Sequence, residues 1–406
     1  MEKYNIIDAD ITSPKGFRAC GIHIGLKRVK KDLALIVSDV IAEGAAVFTK
    51  NKVCAAPVAL SKENIRDKKV QAIIINSGNA NACTGKEGYK NALLMAEETG
   101  NILNISANNV LVASTGVIGV PLPIDLISKG IKDAAQALSY TGGHDAAEAI
   151  LTTDKNVKKV GVTLEIDGKT VTIAGMTKGS GMIEPNMATM LAFITTDAKI
   201  DGDLLQNILK STTDNTYNMI TVDGDTSTND TVCVMANGMA ENTILTDNHP
   251  EIDKFKDAFY YVNEYLAKAI ILDGEGATKF LEAEVINGKT HDDARVIVKS
   301  ILNSNLVKTA FFGEDGNWGR IMCSIGYSET DIDVDKINIY LANDEGKIMI
   351  VENGQGTNYK EEDVAQLLKS KNLKILVDLA MGNEGAKGWG CDLSYEYIKI
   401  NGAYRS

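Results

Sequence analysis

A hydroxyl side chain at the head of a strand, reached through a pliable loop, can attack the peptide carbonyl that precedes it. The stretch Thr177-Lys-Gly-Ser-Gly-Met-Ile-Glu-Pro-Asn-Met-Ala-Thr-Met-Leu191 has that layout. A glycine-bearing loop leads through Pro185-Asn186 to Thr189, at the start of an apolar run. Attack by Thr189 on the Ala188 carbonyl gives an ester that water opens, cutting the chain between Ala188 and Thr189. The new terminus carries an α-amine with a reference pKa of about 7.7–8.0, a base near neutral pH. One residue then supplies nucleophile and base, as in N-terminal threonine variants of the catalytic triad, and no histidine is needed. The plainer reading keeps Gly179-Ser-Gly181 as a loop and Thr189 as an ordinary strand residue. Residue pattern leaves both open.

Other segments carry chemistry of their own. In Val112-Ala-Ser-Thr-Gly-Val-Ile-Gly119 an apolar strand ends at Ser114-Thr115-Gly116, where a turn exposes backbone N–H groups. Such groups either form an oxyanion hole or simply end a strand. Asn76-Ser-Gly-Asn-Ala-Asn-Ala-Cys-Thr-Gly85 is a loop of small polar residues after a buried strand, read as a binding loop or as a turn closed by Asx hydrogen bonds. Thr221-Val-Asp-Gly-Asp-Thr-Ser-Thr-Asn-Asp230 lacks the spacing and terminal Glu of a calcium loop and reads better as a polar turn. Asp273-Gly-Glu-Gly-Ala277 combines a helix-ending glycine with an acidic residue suited to a ligand ammonium. The two tryptophans stand beside glycines, in Asn317-Trp-Gly-Arg320 and Gly388-Trp-Gly-Cys391, and read as tight packing. No GxSxG, GxGxxG or GxxxxGK[ST] motif occurs, nor the [RQ]xxGx[GA] loop of common acetyl-coenzyme A transferases.

Composition narrows the classes. The chain has 406 residues, 44% hydrophobic, enough for about two domains. Its net charge of −12 repels phosphate backbones and argues against nucleic-acid binding as the main task. The six cysteines form no CxxC unit and the four histidines no HExxH, so no metal site is expected. Scattered thiols, no secretory signal and no apolar run of roughly 20 residues suggest a reduced, cytoplasmic protein off the membrane.

The positioning elements follow from periodicity. Leu33–Asp39, Ala46–Thr49, Ala72–Asn76 and Met190–Asp197 read as strands, and Val160–Ile166 with Lys169–Ile173 as a hairpin over Asp167-Gly168. Helical spacing covers 123–139, 251–270, 291–303 and 361–370. A hairpin is expected for Lys336–Leu341 and Lys347–Val351, a strand for Leu373–Leu379 and a last strand for Tyr395–Ile400. Leu33–Asp39 faintly echoes Leu191–Asp197. The texture shifts near 280–290, which divides the chain into 1–284 and 285–406.

Taken in order, these motifs resemble the ornithine acetyltransferase family, also called glutamate N-acetyltransferases. The likeness runs from Gly16-Phe-Arg-Ala19 through Asn76–Ala82, Ser114–Gly119, Lys178–Ile183 and Pro185–Leu191. It continues through Asp223–Asp230 and Asn317–Arg320 to Trp389–Ser394. It implies a self-cleaving enzyme of arginine biosynthesis with a four-layer α/β (αββα) sandwich, related to self-processing aminopeptidases, and a smaller C-terminal α+β domain. By the same resemblance, Thr189 takes acetyl from N-acetylornithine and passes it to glutamate. Thr115 and Gly116 form the oxyanion hole, and Thr152, Lys178, Thr189, Glu275, Asn401 and Ser406 bind substrate. Two α and two β chains from one precursor are implied, with no cofactor, although some members also use acetyl-coenzyme A as donor. Ser406 departs from the threonine of many members but keeps the hydroxyl. Exchanging one amide for a similar one needs no ATP, and an acetyl-threonine divides it into two easier steps. Lys178 suits a substrate carboxylate and Glu275 the ornithine δ-ammonium. The sequence ends six residues after the expected last strand, which suggests an end lying in the site. The rivals are an N-terminal-nucleophile aminopeptidase or amidase, which hands the acyl group to water, and a non-enzymatic binding protein on the same fold.

Overall fold

Alternation of apolar residues along the strands decides which layers form. The computed structural model of the chain describes residues 3–184 and 190–403. The first strands are β1 Asn5–Ile7, β2 Phe17–Ile22, β3 Leu33–Phe48, β4 Lys69–Asn79, β5 Val110–Val117, β6 Lys158–Ile166, β7 Lys169–Lys178 and β8 Leu191–Thr196. Then come β9 Ile220–Thr221, β10 Thr231–Ala236, β11 Phe280–Gly288, β12 Asn338–Ala342, β13 Lys347–Glu352, β14 Gln355–Gly356, β15 Asn372–Asp378 and β16 Glu384–Cys391. The helices that matter most are α1 Ala56–Asn64, α2 Gly85–Leu103, α3 Ile124–Ala137, α4 Gly143–Ala149, α5 Gly202–Asn215, α6 Ile252–Leu272 and α7 His291–Asn303.

A nine-stranded sheet runs β1-β6-β7-β8-β10-β3-β4-β5, with β2 also on β3. It folds over on itself at β3. The first half of β3 pairs with β2 and β4, and its second half with β10. Between Val37 and Ala42 the register with β4 shifts, the irregularity that lets one long strand serve two leaves. Two strands were expected here, Leu33–Asp39 and Ala46–Thr49. They are one strand, because the bulge bends the ladder without ending it.

Side chains of period two then fill three interfaces. Leu33, Leu35, Ile74 and Val112 point outward to Met95 of α2 and Ile127 and Ile131 of α3. Ile36, Ile73, Ile75 and Leu111 point inward and meet Met176, Phe193, Cys233 and Met235 of the other leaf. On that leaf's far side Ala192, Ile194, Val232 and Val234 meet Leu205 and Leu209 of α5 and Phe255, Phe259 and Leu266 of α6. The order is helix, sheet, sheet, helix: the expected four-layer sandwich. The echoing segments Leu33–Asp39 and Leu191–Asp197 lie in this one sheet, on either side of β10.

A second sheet of seven strands runs β14-β13-β12-β15-β11-β16-β9. Its strand β11 spans position 284, and β9 joins it from residues 220–221. Trp389 on β16 is fully buried, with its Nε1 donating to Glu282 at 2.9 Å and Lys268 of α6 over its ring at 4.9 Å.

The strand expected at Tyr395–Ile400 is a helix, Tyr395–Ala403. Tyr395, Tyr397, Ile398 and Ile400 satisfy either period. The end of the preceding strand β16, at Trp389–Gly390, already pairs with β11 on one side and β9 on the other, so the chain cannot turn straight back onto it as a strand. The backbone therefore closes its own hydrogen bonds.

Candidate active site

Strands β7 and β8 are antiparallel neighbours, with Lys178 opposite Leu191. The segment joining them therefore leaves and returns at one end of the sandwich. There the Thr231 N–H donates to the Met190 carbonyl at 3.0 Å. A cavity of about 160 Å³ opens at that end. This is smaller than the roughly 300–1,000 Å³ of pockets for larger ligands and suits a small metabolite. Thr115, Gly116, Thr152, Lys178, Glu275 and Asn401 all line it, together with Met190 and Leu191. These six expected site residues come from the two leaves, the loop between α4 and β6, the loop after α6 and the C-terminal helix. Ala188, Thr189 and Ser406 lie outside the described residues.

Thr115 and Gly116 arrive on the end of β5. Gly116 has φ +132°, and a Cβ there would stand 2.4 Å from the Gly78 carbonyl carbon. Only glycine fits both the conformation and the closeness of the neighbouring strand. The segment expected as a loop, Asn76–Gly85, begins as the end of β4, paired with β5, and supports this strand end rather than lining the cavity. The Asn76 carboxamide oxygen accepts from Ser114 Oγ at 2.5 Å, and Asn79 Nδ2 donates to the Val120 carbonyl at 3.1 Å. Asn229 Nδ2 donates to the Ala80 and Ser114 carbonyls at 2.6 and 2.8 Å, binding loop and strand together.

Lys178 is 8% exposed, and its Nζ lies 3.5 Å from Thr115 Oγ1. Behind it sits Asp154, which no motif suggested. The Asp154 carboxylate accepts from Lys158 Nζ at 2.7 Å, from the Gly179 N–H at 2.7 Å and from the Thr152 N–H at 3.0 Å. Burial alone would raise this carboxyl. The Lys178 and Lys158 ammoniums reverse that and hold it below the usual range. Burial lowers Lys178, and Asp154, 4.0 Å away, opposes the change. Asp154 thus fixes Thr152 and Lys178 in one stroke while Lys158 supplies its main ion pair. Asp273 completes the group, accepting from Lys158 at 2.6 Å.

Glu275 stands 8% exposed across the cavity, in the loop that ends α6. Its N–H donates to the Ser180 carbonyl at 2.8 Å, and its carboxylate accepts from Asn401 Nδ2 at 2.9 Å. A Cβ on Gly181 would stand 2.4 Å from that carboxylate, so glycine there leaves the Glu275 side chain in its present position. The acidic residue between glycines does face the cavity. A carboxylate on one side of the cavity and a buried ammonium on the other are complementary to the two charges of a zwitterionic amino acid.

Two further carboxylates come from the polar turn after β9. Asp223 accepts from the Met182 and Ile183 N–H groups at 2.7 and 2.8 Å and from the Tyr397 hydroxyl at 3.1 Å. It fastens the loop upstream of Pro185 to the C-terminal helix. Asp230 is 1% exposed and lines the cavity. Burial pushes its carboxyl well above the usual range, against the Ser227 and Thr49 hydroxyls, the Lys178 charge and the Met190 N–H. Asp154, Asp223 and Asp230 were missed as site residues. The acidic run Asp223–Asp230 was the visible signal, but its spacing fits no motif whose chemistry is known.

Among the described residues no group of His, Cys, Asp and Glu is placed to hold a metal ion. No helix among them is long and apolar enough to cross a membrane.

Similarity to known proteins agrees with this geometry. Residues 18–406 match the model of the ArgJ family. An arginine biosynthesis bifunctional protein ArgJ of Caldanaerobacter subterraneus subsp. tengcongensis is 54% identical, covering 99% of this chain and 100% of its own. The protein of that name from Listeria monocytogenes (EGD-e) is 50% identical, with 99% and 100% covered. A crystal structure of an arginine biosynthesis bifunctional protein argJ from Bacillus halodurans aligns with a TM-score of 0.51 at 47% identity. It covers 53% of this chain and all of that one. With the motifs in order, the site assembled and relatives matched end to end, this chain belongs to the ArgJ family.

Proposed function

We propose that the chain moves the acetyl group of N-acetylornithine to glutamate, releasing ornithine and N-acetylglutamate, through an acetyl ester on Thr189. The observation that carries this reading is the meeting of Thr115, Gly116, Lys178, Glu275 and Asn401 at Met190, the residue that follows Thr189. In this mechanism the precursor first cleaves before Thr189. The freed α-amine takes the Thr189 hydroxyl proton as Oγ attacks the acetyl carbonyl. Thr115 and Gly116 stabilise the oxyanion. Lys178 holds the α-carboxylate, and Glu275, steadied by Asn401, holds the ornithine δ-ammonium. Thr152 and Ser406 complete the substrate contacts. The C–N amide bond breaks, ornithine leaves, and the glutamate amine attacks the ester to form the new amide.

Maturation to two chains is supported by a solved relative whose whole chain matches only 53% of this one. The two halves remain together in the cytoplasm, as two α and two β chains, with 1–284 as a catalytic unit and 285–406 as a smaller one. Acetyl-coenzyme A is a second donor, in keeping with the word bifunctional in the relatives' names.

The test supplies carbonyl-labelled acetylornithine with and without glutamate. Label should appear on the peptide beginning at Thr189 and then on glutamate. Release of free acetate at the same rate without glutamate would instead make the enzyme an amidase. A Thr189→Ala protein that still exchanges acetyl would remove the nucleophile assignment.

A further inference from the structure

Exchange between two amines has a proton problem that nucleophile and oxyanion hole leave unsolved. Ornithine departs, and glutamate arrives, as an ammonium at neutral pH, yet only the neutral amine can attack an ester. No histidine lines the described part of the cavity. Two carboxylates near the site are already engaged: Asp154 by Lys158, Gly179 and Thr152, and Glu275 by Asn401. Asp230 differs. It is 1% exposed and lines the same cavity, yet among the described residues its Oδ2 meets no hydrogen-bond partner. A buried carboxyl oxygen without a partner is costly unless a proton or a ligand donor occupies it. The N–H of Thr231, the next residue, donates to the Met190 carbonyl at 3.0 Å, which sets Asp230 beside the backbone at the acyl centre.

We propose that Asp230 carries one proton between the two half-reactions: its carboxylic acid protonates the departing amine, and its carboxylate then takes a proton from the incoming α-ammonium. This rests on the acetyl-transfer reading above. The atoms balance. As the amide C–N bond breaks, the leaving nitrogen receives one proton from the terminal ammonium of the enzyme and a second from Asp230. Ornithine leaves as an ammonium. Glutamate enters as an ammonium, gives a proton to Asp230 and attacks as the amine. The ester C–O bond breaks and the Thr189 oxygen regains its proton. Burial suits the group for this, since it raises proton affinity toward that of an amine, and matched affinities make proton transfer efficient. The charged group facing it is Lys178 of β7, itself faced by Asp154, Lys158 and Glu275. The Ser227 and Thr49 hydroxyls favour the carboxylate.

The experiment compares substrates that do and do not need the shuttle. The leaving group of p-nitrophenyl acetate needs no proton, and hydroxylamine is a neutral acceptor at pH 7. Asp230→Asn should therefore acetylate from the ester and transfer to hydroxylamine as the wild type does. Its acetylornithine–glutamate exchange should fall about 100-fold or more. Retention of wild-type exchange would overturn the proposal, and equal loss with both substrate pairs would reduce Asp230 to a structural role. Failure of the wild type to form acetyl-Thr189 would instead bring down the acetyl-transfer reading itself. Should Asp230→Asn not mature, Ser227→Ala carries the test. Loss of that hydroxyl should move the acidic limb of the exchange profile to higher pH, and an unmoved limb overturns the proposal.

Discussion

At the scale of single residues, each expectation depends on what the side chain touches. Lys178→Met removes the ammonium expected to hold the substrate carboxylate but leaves Asp154 paired with Lys158 at 2.7 Å. The fold should survive. A lost charge-assisted hydrogen bond of about 1.5–3 kcal/mol should lower kcat/KM by about 10–100-fold, mostly through KM. Thr115→Ala should act on kcat instead, by about 10–1000-fold, because an oxyanion donor serves charge that develops during reaction. A pure rise in KM would make Thr115 a substrate contact. Asp230 also has a stability signature. Its folded carboxyl binds a proton more tightly than the unfolded one, so its stabilising contribution is full below the unfolded pKa. That contribution is lost as pH rises through the folded value. Asp230→Asn should therefore raise Tm near neutral pH, with the gain shrinking on acidification; a gain that grows in acid would contradict this. Thiols give an independent check. Burial pushes Cys20 up to about 11 and Cys233 up to about 12. Only the thiolate alkylates, so in the native protein at pH 8 exposed Cys83 and Cys323 should be labelled and these two spared.

At the scale of elements, the site depends on connections between segments distant in sequence. Asp223 joins the 182–183 loop to the helix Tyr395–Ala403. Asp223→Ala leaves two backbone donors without their carboxylate, at a cost of about 1–3 kcal/mol. Self-cleavage should slow, since the loop leading to Ala188 loses its anchor, and KM should rise as Asn401 is released with its helix. Both are read from the time course of precursor loss and from initial rates. Unchanged cleavage with unchanged KM would show that Asp223 serves only local folding. The same helix shows why the last element was misjudged: its aromatic and β-branched residues favour a strand, and the already paired end of β16 overrides them.

At the scale of the whole molecule, the proposed cut lies between β7 and β8, which pair from Ile173–Thr196 to Lys178–Leu191. Strand β8 is further locked between β7 and β10. Two fragments of about half size should therefore separate under denaturing electrophoresis yet elute together in native buffer. Spontaneous separation of the fragments would contradict this interlocked sheet.

Sequence by itself determined many of the elements, because strand alternation, helix spacing and the Asp167-Gly168 turn are local. The four-layer order came from the resemblance, and the structure shows why it holds: each leaf has two apolar faces to cover. Through resemblance rather than spacing, the motifs also picked out Thr115, Gly116, Thr152, Lys178, Glu275 and Asn401, which line one cavity. Tertiary structure alone decided the rest. It bent one strand into two leaves and turned the Asn76–Gly85 segment into a support. It also brought Asp154, from the α4–β6 connection, and Asp223 and Asp230, from the β9–β10 connection, to the site. A carboxylate acquires its role from burial, nearby ammoniums and an unclaimed oxygen. None of these is a property of neighbouring residues in the chain.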